Sequence, residues 1–490
     1  MPTARPAEAD SRRSRRAALL VLFGALGGLN WGYDTGVMST AVLFLREEFA
    51  LDSWAEGWVV TGLILGAIVG AAGGGRLSDR HGRRPVLIAA AAAFVIAPIG
   101  MAAAPTAAVL LAFRVLVGLG AGLAAVTLPV YLAEIAPARI RGRVTATYVL
   151  AIVSGQLLGF LVGLAFTPEE SWRWMLGLSV VPSVLFAAGL AFIRETPRWL
   201  VTKGREEEAR EILRRDRSAE EAAAELEEIH AIRQAEQAAG AQTLTVLLRP
   251  WVRPILLVGL VVAVLQQIMG ANAIIYYAPT TLQNVGFSDQ AAVTSNLIIG
   301  VMNVLAVWLA LTVADRWGRR PLLLGGAAGM ALSLGVLAVT NLVLPAPDGF
   351  GVVGLVTLAC MAAYIFLFQA SWGSITWVVL GEIFPLSVRA AAMAVATTAL
   401  WIGNGVVALG FPPLLEAVGV GWAFAGFAVI CCAGLTFTWR RIPETTGRSL
   451  EQIETSFHRA AEGSEVPAGY DDADDARRAS APPSPAADRS

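Results

Sequence analysis

Two charged side chains stand inside apolar stretches of the 490-residue chain. Asp34 lies in the segment NWGYDTGV, and Arg114 lies in AFRVLVGLGAG. Charges in such segments are costly to bury, so they usually pair and often mark a pathway for ions or solutes. Two interpretations remain open. The residues form either a static ion pair between two helices or a site where Asp34 binds and releases a proton as its distance from Arg114 changes.

A second polar group consists of amides and a tyrosine in the segment QQIMGANAIIYY. Gln267 and Asn272 are five residues apart, which is about 500° of rotation on a regular helix. A break or bend, which Gly270 between them would permit, would let both face one cavity. Amides offer donors and acceptors together, so they match hydroxyl groups, which need both. The alternative interpretation is hydrogen bonding between neighbouring helices.

The elements that must position these residues follow from the composition. Hydrophobic residues make up 56% of the chain and charged residues 15%, against about 25% in an ordinary soluble domain. A single water-soluble core could not hide this much apolar sequence, whereas a lipid bilayer can. The composition therefore predicts a membrane protein whose spans are helices.

Twelve apolar runs come close to the roughly 20 residues that a membrane-spanning helix needs. They lie near 17–40, 55–76, 85–104, 107–133, 144–166, 172–193, 253–279, 291–314, 320–343, 351–380, 389–414 and 421–439. The polar stretch between the sixth and seventh runs is rich in helix-forming residues of both charges. We predict an N-terminal six-helix half over 1–193, a cytoplasmic helical linker over 194–250, a C-terminal six-helix half over 251–440, and a largely disordered cytoplasmic tail over 441–490.

Arginine is concentrated before the first run, after the last, and in alternate loops. These arginines are Arg12, Arg13, Arg15, Arg16, Arg76, Arg80, Arg83, Arg84, Arg139, Arg141, Arg143, Arg316, Arg319, Arg320, Arg440 and Arg441. By the positive-inside rule, both termini and the linker are cytoplasmic, and the chain is a multi-pass protein of the cell membrane. The apolar stretch continues past Asp34 without a cleavage site, so the first run is expected to stay as an uncleaved helix rather than serve as an export signal.

Three sequence patterns occur twice. DRHGRRP at 79–85 recurs as DRWGRRP at 315–321, EIAPARIRG from Glu134 is echoed by EIFPLSVRA from Glu382, and RETPR from Arg194 is echoed by PETTG from Pro443. The offsets are 236, 248 and 249 residues. Ordered pairs at nearly one spacing indicate two homologous halves in parallel topology, and transporters built in this way bind substrate between the halves near the bilayer midplane.

Along about 430 of its 490 residues the chain resembles the sugar porter family of the major facilitator superfamily, in particular bacterial proton-coupled pentose and hexose symporters. The motifs are GYDTGV, GRLSDRHGRR, YLAEIAPARIRG, GQLLG, QQIMGANAIIYY, ADRWGRR, SWGSITWVVLGEIFP and PETTG. The resemblance implies the all-α major facilitator fold of twelve transmembrane helices and symport of a monosaccharide or related polyol with a proton by alternating access. Proton-coupled members carry Asp at the position of Asp34, whereas many passive facilitators carry Asn.

The resemblance also implies roles for individual residues. Proton coupling would fall to Asp34 and Arg114. The implied substrate-binding residues are Gln156, Gln266, Gln267, Asn272, Tyr276, Asn303, Gly373, Trp377 and Trp401. An implied cytoplasmic ion-pair latch, which holds the outward-facing state, comprises Asp79, Arg83, Glu134, Arg141, Asp315, Arg319, Glu382 and Arg389. For the latch residues, topogenic charge alone is the alternative.

Two positions depart from the family pattern. Leu400 precedes Trp401 where members often carry Gln or Asn, and Trp31 stands where Phe is usual. The pocket thus has one polar group fewer, and we expect it to suit a less hydroxylated or differently oriented ligand.

Other functional classes fit the sequence less well. The chain has one lysine, Lys203, and no Walker A motif, which excludes direct coupling to ATP. Its three cysteines, Cys360, Cys431 and Cys432, lie in apolar runs and favour neither a disulfide framework nor a metal site. We therefore expect no enzyme activity, cofactor, metal or nucleic acid partner, and a monomer that interacts with a sugar, a proton and the bilayer. A passive sugar facilitator and a sugar sensor that does not transport remain the alternatives.

Overall fold

The computed structural model describes residues 6–136, 138–216, 218–239, 247, 249–344, 351–385, 388–442 and 444. At 6–19, 138–141, 145, 215, 216, 219, 232, 235–239, 313–315 and 390 it describes the backbone alone. The described residues form helices and short connections, and none of them lies in a strand.

The helices fall into three consecutive groups. The first is α1 (Pro6–Glu48), α2 (Ser53–His81), α3 (Arg83–Ala102), α4 (Ala107–Ile135), α5 (Ala138–Phe166), α6 (Trp172–Gly177) and α7 (Val180–Gly189). The second is α8 (Pro197–Thr202), α9 (Glu206–Asp216) and α10 (Ala219–Ala239). The third is α11 (Val252–Ile268), α12 (Ala271–Gln283), α13 (Asp289–Trp317), α14 (Arg319–Val343), α15 (Val352–Phe368), α16 (Ser374–Ile383) and α17 (Arg389–Arg441).

The expected twelve spans are present. Ten stretches of the described residues are long and apolar enough to cross a membrane. One of them, Ala391–Arg441, is 51 residues long and contains Gly419 at φ +74°, so it supplies two spans. The 43-residue helix α1, which packs along α5, is the twelfth.

Several predicted runs are less regular than their hydropathy indicated. The sixth consists of two short helices, α6 and α7, and the seventh is interrupted between α11 and α12 by Gly270 at φ +104°. The tenth contains a π-helical turn, Gln369–Gly373, between α15 and α16. Hydropathy registers only which residues prefer lipid, so these interruptions leave no trace in it.

Small residues bring the helices of the N-terminal group into backbone contact. A Cβ added at Gly32 of α1 would lie 1.7 Å from the carbonyl oxygen of Ile152 on α5. One added at Gly66 of α2 would lie 2.0 Å from the carbonyl oxygen of Val115 on α4. Such close approach is how membrane helices gain packing without help from the hydrophobic effect.

The first and third groups, each of which supplies six membrane spans, contact each other through α2 with α17, α5 with α13, and α1 with α12. We call the end of the bundle where α1 ends and α2 begins the outer end, and the end with Arg83 and Arg319 the inner end. In the outer half, Asn296 Nδ2 donates to Ser39 Oγ across the interface at 3.1 Å. A Cβ added at Gly57 would lie 2.4 Å from the carbonyl oxygen of Leu409. The outer end is therefore closed in this conformation.

Helices α8 to α10 form a small separate hydrophobic cluster against the inner end. Trp199 of α8 is buried in the cluster, and its Nε1 donates to the carbonyl oxygen of Asp79 at 3.0 Å. After α8, the chain turns through the exposed pair Lys203 and Gly204, the latter at φ +76°. The linker is thus helical, as predicted. Of the predicted tail, Ile442 is buried at the inner end, and the stretch beyond 444 lies outside the described residues.

Candidate substrate and proton site

Asp34 and Arg114 form a buried ion pair. Arg114 Nη1 lies 2.6 Å from Asp34 Oδ2, and the two residues are 3% and 2% exposed, respectively. Arg114 Nε and Nη2 also donate to the carbonyl oxygens of Val59 and Val60 on α2, each at 3.3 Å. The second carboxylate oxygen, Asp34 Oδ1, is buried and has no hydrogen-bond partner among the residues that the structure describes. The guanidinium thus has an anchor independent of Asp34.

The amides around Gly270 come together as the spacing argument required. Gln267 Nε2 donates to Gln266 Oε1, and Asn272 Nδ2 donates to Gln267 Oε1 at 2.5 Å. The positive φ of Gly270 breaks the helix between them, and a Cβ there would lie 2.7 Å from the ring of Phe427. Glycine is therefore needed at this position for both its backbone and its size.

A second pair of amides joins the first and third groups of helices. Asn303 Nδ2 on α13 donates to Gln156 Oε1 on α5 at 2.5 Å. Both residues are buried, and Asn303 Oδ1 has no hydrogen-bond partner within the described part of the chain. An unpartnered buried acceptor is costly, so a hydroxyl donor at this position would be stabilised.

Aromatic side chains lie beside the amides. Trp31 of α1 and Trp401 of α17 face each other across the interface with ring centroids 5.0 Å apart. Tyr276 of α12 donates to Asn404 Oδ1 of α17 at 3.5 Å. A Cβ added at Gly403 would lie 3.2 Å from Gln267 Cβ, which places this part of α17 directly against the amide cluster.

Leu400, which replaces the amide usual in the family, is 3% exposed and belongs to the hydrophobic core. Its neighbour Trp401 is 8% exposed. In this conformation the position therefore contributes apolar packing beside the amide cluster.

The segment around Trp377 is less tightly joined to this set. Trp377 is 42% exposed, and no hydrogen bond or ring contact joins it to the amides among the described residues. Gly381, one turn later, has open space where a Cβ would be. A Cβ at Gly373 would lie 1.9 Å from Gln369 Oε1, so the Gln369 amide covers Gly373.

Ion pairs at the inner end repeat in the two groups. Arg83 pairs with Glu134 at 3.2 Å, and Arg319 pairs with Glu382 at 3.2 Å. Arg83 also pairs with the exposed Asp79 at 3.1 Å. All these contacts join helices of the same group, so none of them bridges the two groups in this conformation.

The remaining residues of the implied latch are placed differently. Arg389 Nε donates to the carbonyl oxygen of Phe384 at 3.1 Å. The side chains of Arg141 and Asp315 lie outside the described part of the chain.

Sequence reasoning missed several polar residues that the structure places at these sites. Glu195 accepts from the backbone nitrogens of Arg83 and Arg84 at 3.0 and 3.1 Å, and Glu444 accepts from those of Arg319 and Arg320 at the same distances. The repeated RETPR and PETTG motifs contain these two acids and could have identified them. Asn404 and Gln369 lack such a repeat. Only a survey of every polar residue in the apolar runs would have found them.

Comparison with known proteins supplies the family context. The family model described as "Sugar (and other) transporter" matches residues 20–457. The putative metabolite transport protein YwtG of Bacillus subtilis is 44% identical, over 89% of this chain and 94% of its own. The D-xylose transporter of Levilactobacillus brevis is 37% identical, over 93% and 98%.

Solved structures agree with these relatives. The inward-open conformation of the xylose transporter XylE from E. coli superposes with a TM-score of 0.77 at 30% identity, covering 90% of this chain and 99% of that one. A structure of the proton:xylose symporter XylE bound to 6-bromo-6-deoxy-D-glucose gives a TM-score of 0.70 at 30% identity, covering 91% and 100%.

Proposed function

The chain belongs to the sugar transporter family of the major facilitator superfamily, and from this premise we propose that it imports a monosaccharide or related polyol together with a proton. Relatives named as a D-xylose transporter and a proton:xylose symporter support this class of substrate and this coupling. The observation that carries the proposal is the buried Asp34–Arg114 pair, in which one carboxylate oxygen has no partner among the described residues.

The substrate site would lie between the two groups of helices. Gln266, Gln267 and Asn272 from the third group, with Gln156 and Asn303 at the interface, offer both donors and acceptors to sugar hydroxyls. Trp31, Tyr276 and Trp401 would cover the apolar C–H faces of the ring, and Gly373 and Trp377 would border its open side. Because the site takes residues from both groups, a relative movement of the groups would assemble and disassemble it.

We further propose that the inner end faces the cytoplasm of the cell that makes the protein. The arginine-rich loops and both termini lie on that side by the positive-inside rule. The conformation described, with its outer end closed, would then be the inward-facing state. One chain contributes every residue of the proposed site, so a monomer would suffice for transport.

Coupling would proceed through Asp34. With the outer end open, Asp34 takes a proton and the amides take the sugar. When the groups move to the conformation described here, Asp34 returns its proton to the cytoplasmic side, and Arg114, held by the Val59 and Val60 carbonyls, neutralises the resulting carboxylate. One proton yields about 2.3 kcal/mol per 100 mV of membrane potential. That free energy supports roughly 50-fold accumulation of a neutral sugar, since about 1.4 kcal/mol is a factor of ten.

The substitution Asp34→Asn tests this proposal. It keeps the size and a hydrogen-bonding end but cannot take up a proton, so proteoliposomes should lose uphill accumulation of sugar while keeping sugar exchange at equal concentrations. Radiolabelled pentoses and hexoses, with and without a protonophore, provide the measurement. Glu169→Gln, an exposed carboxylate remote from the site, is the matched control and should accumulate sugar normally.

Two results would redirect the assignment. Protonophore-sensitive accumulation by Asp34→Asn would make the ion pair static and place the coupling elsewhere. Equilibration without accumulation by the unmodified protein would identify a passive facilitator, and binding without any flux would identify a sensor.

A further inference from the structure

Glu56 is a buried carboxylic acid that neither the substrate site nor the coupling pair uses. It lies in the first turn of α2, within a membrane-spanning stretch, and is 2% exposed. Its Oε1 is buried, and none of the described residues offers it a hydrogen bond. Ionisable residues inside a membrane protein are costly and usually serve the transported path or the conformational change.

The position of Glu56 links it to closure of the outer end. The next residue, Gly57, packs against the backbone of α17, where a Cβ would lie 2.4 Å from the carbonyl oxygen of Leu409. Tyr277 of α12 donates to the carbonyl oxygen of Ala408 at 2.6 Å and lies within electrostatic reach of Glu56. Helix α17 of the opposite group therefore packs beside Glu56, and separation of the groups at the outer end would expose this residue to water.

The charged groups around Glu56 do not compensate an ionised carboxylate. Arg46 at the end of α1 and Glu416 of α17 act on it electrostatically with opposite signs, and both are exposed. Neither lies within ion-pair distance of Glu56 among the described residues. The N-terminal field of α2 favours a negative charge, but this effect is smaller than the cost of burying a carboxylate with an unpartnered oxygen. The closed outer end therefore accommodates the neutral acid.

We propose that Glu56 is a second proton-binding residue of the transport cycle, which takes up a proton as the outer end closes and releases it as the outer end opens. The proton comes from the outer aqueous phase, forms an O–H bond with the carboxylate, and returns to the same phase. It therefore adds nothing to the number of protons transported with sugar. This inference relies on the alternating access of the proposed function, but neither on Asp34 nor on the identity of the sugar.

The sign of the pH dependence follows from which state binds the proton. At Glu56 the closed outer end binds one proton more than the open outer end, so this residue makes acid favour closure and alkali favour opening. A difference of one bound proton changes the ratio of closed to open states by up to about tenfold per pH unit.

A cysteine reporter at the outer interface measures this ratio. Ser39 is 0% exposed and accepts a hydrogen bond from Asn296 of the opposite group, so Ser39→Cys should react with a membrane-impermeant maleimide only when the outer end opens. The native thiols are removed by Cys360→Ser, Cys431→Ser and Cys432→Ser. Labelling is followed without sugar between pH 6 and 8 in right-side-out vesicles, and is normalised to a small exposed thiol to remove the intrinsic pH dependence of the reaction.

In the reporter background, normalised labelling should rise with pH by up to about tenfold per unit. Glu56→Gln, which mimics the neutral acid, should stay at the low acidic level throughout. The exposed acid Glu47, on the same side of the protein, supplies the matched control Glu47→Gln, which should keep the original profile. An unchanged pH profile in Glu56→Gln overturns the proposal.

Two further variants show whether the pH profile depends on closure around Glu56 and not on Asp34. Gly57→Ala should hold α2 away from Leu409, so that labelling is high and independent of pH; a normal profile in this variant would contradict the inference even if Glu56→Gln failed to fold. Asp34→Asn should keep the rise of labelling with pH, and loss of that rise there would transfer the effect to Asp34. Failure of sugar accumulation by the unmodified protein would appear only in uptake assays, so the two proposals can fail separately.

Discussion

Single residues at the centre of the protein are held by more than one partner, so the loss of one charge would not isolate another. Arg114 is held by two backbone carbonyls of α2, so protonation of Asp34 would leave the guanidinium with partners instead of an isolated buried charge. The amide cluster has a similar property. Gln266, Gln267 and Asn272 satisfy one another when no ligand is bound, and each can exchange its amide partner for a hydroxyl.

The first residue-scale prediction concerns Gln267, which lies in the middle of that cluster. Gln267→Ala should weaken sugar binding by about tenfold or more, because a hydroxyl that loses its buried partner costs roughly 1–3 kcal/mol. Calorimetric titration with the transported sugar measures the effect. The exposed Gln290 provides the control Gln290→Ala, which should bind normally. Equal affinities in both variants would remove Gln267 from the substrate site.

The sequence predicted part of this site for a definite reason. Gln267, Gly270 and Asn272 share one short segment, so their spacing alone indicates that a break at Gly270 would let both amides face one cavity. Asn404 and Glu56 meet their neighbours only through packing between helices distant in sequence, and each is a single polar residue in an apolar run. Trp377 is the opposite case. Its motif implies a role in binding, but its contacts in this conformation do not join it to the amides.

At the scale of helices, the irregular positions are those where backbone groups need other partners. Where α11 ends before Gly270, the freed carbonyl oxygen of Met269 accepts from Tyr364 at 2.9 Å. Interrupted backbone within the membrane is tolerated when other protein groups satisfy it. Hydropathy predicted that the seventh and tenth runs cross the membrane, but it could not predict these breaks, because they depend on φ angles and on partners from other helices.

The second prediction concerns an ion pair at the inner ends of the helices. The Arg319–Glu382 pair joins the start of α14 to the end of α16. We propose that this pair fixes the relative position of the two helices, and with it the surface of the third group that contacts the first group when the inner end closes. Glu382→Gln should therefore shift the protein toward the inward-facing state by up to about fivefold, since such a pair contributes about 1 kcal/mol. Maleimide labelling of a cysteine introduced at the inner end should rise by up to the same factor.

The control for this prediction is Glu228→Gln, which removes an exposed acid of α10. Its inner-end labelling should match that of the unmodified protein. If Glu382→Gln labels no faster than this control, the charges at the inner end serve only to orient the chain in the membrane.

For the whole molecule, the position of the contacts between the first and third groups shows which end of the protein is closed. The contacts Gly57 with Leu409, and Ser39 with Asn296, lie in the outer half, whereas the inner-end ion pairs stay within each group. The similarity to an inward-open transporter at a TM-score of 0.77 agrees with this arrangement. The internal repeats predicted two groups with a site between them. Which end is closed could not be predicted, because one sequence encodes every state of the cycle.

The turn at Lys203 has a practical consequence for proteolysis. As the chain has a single lysine, a lysine-specific protease has one peptide bond to cut, Lys203–Gly204, in an exposed turn on the inner side. Inside-out vesicles should yield two fragments, and intact right-side-out vesicles should yield none; cutting in the latter would reverse the proposed orientation. The cut would place Asp34, Arg114 and Gln156 on one fragment and the Gln266–Asn272 cluster on the other. Sugar binding that survives digestion would then show that the two pieces hold together through their packing, without a continuous chain.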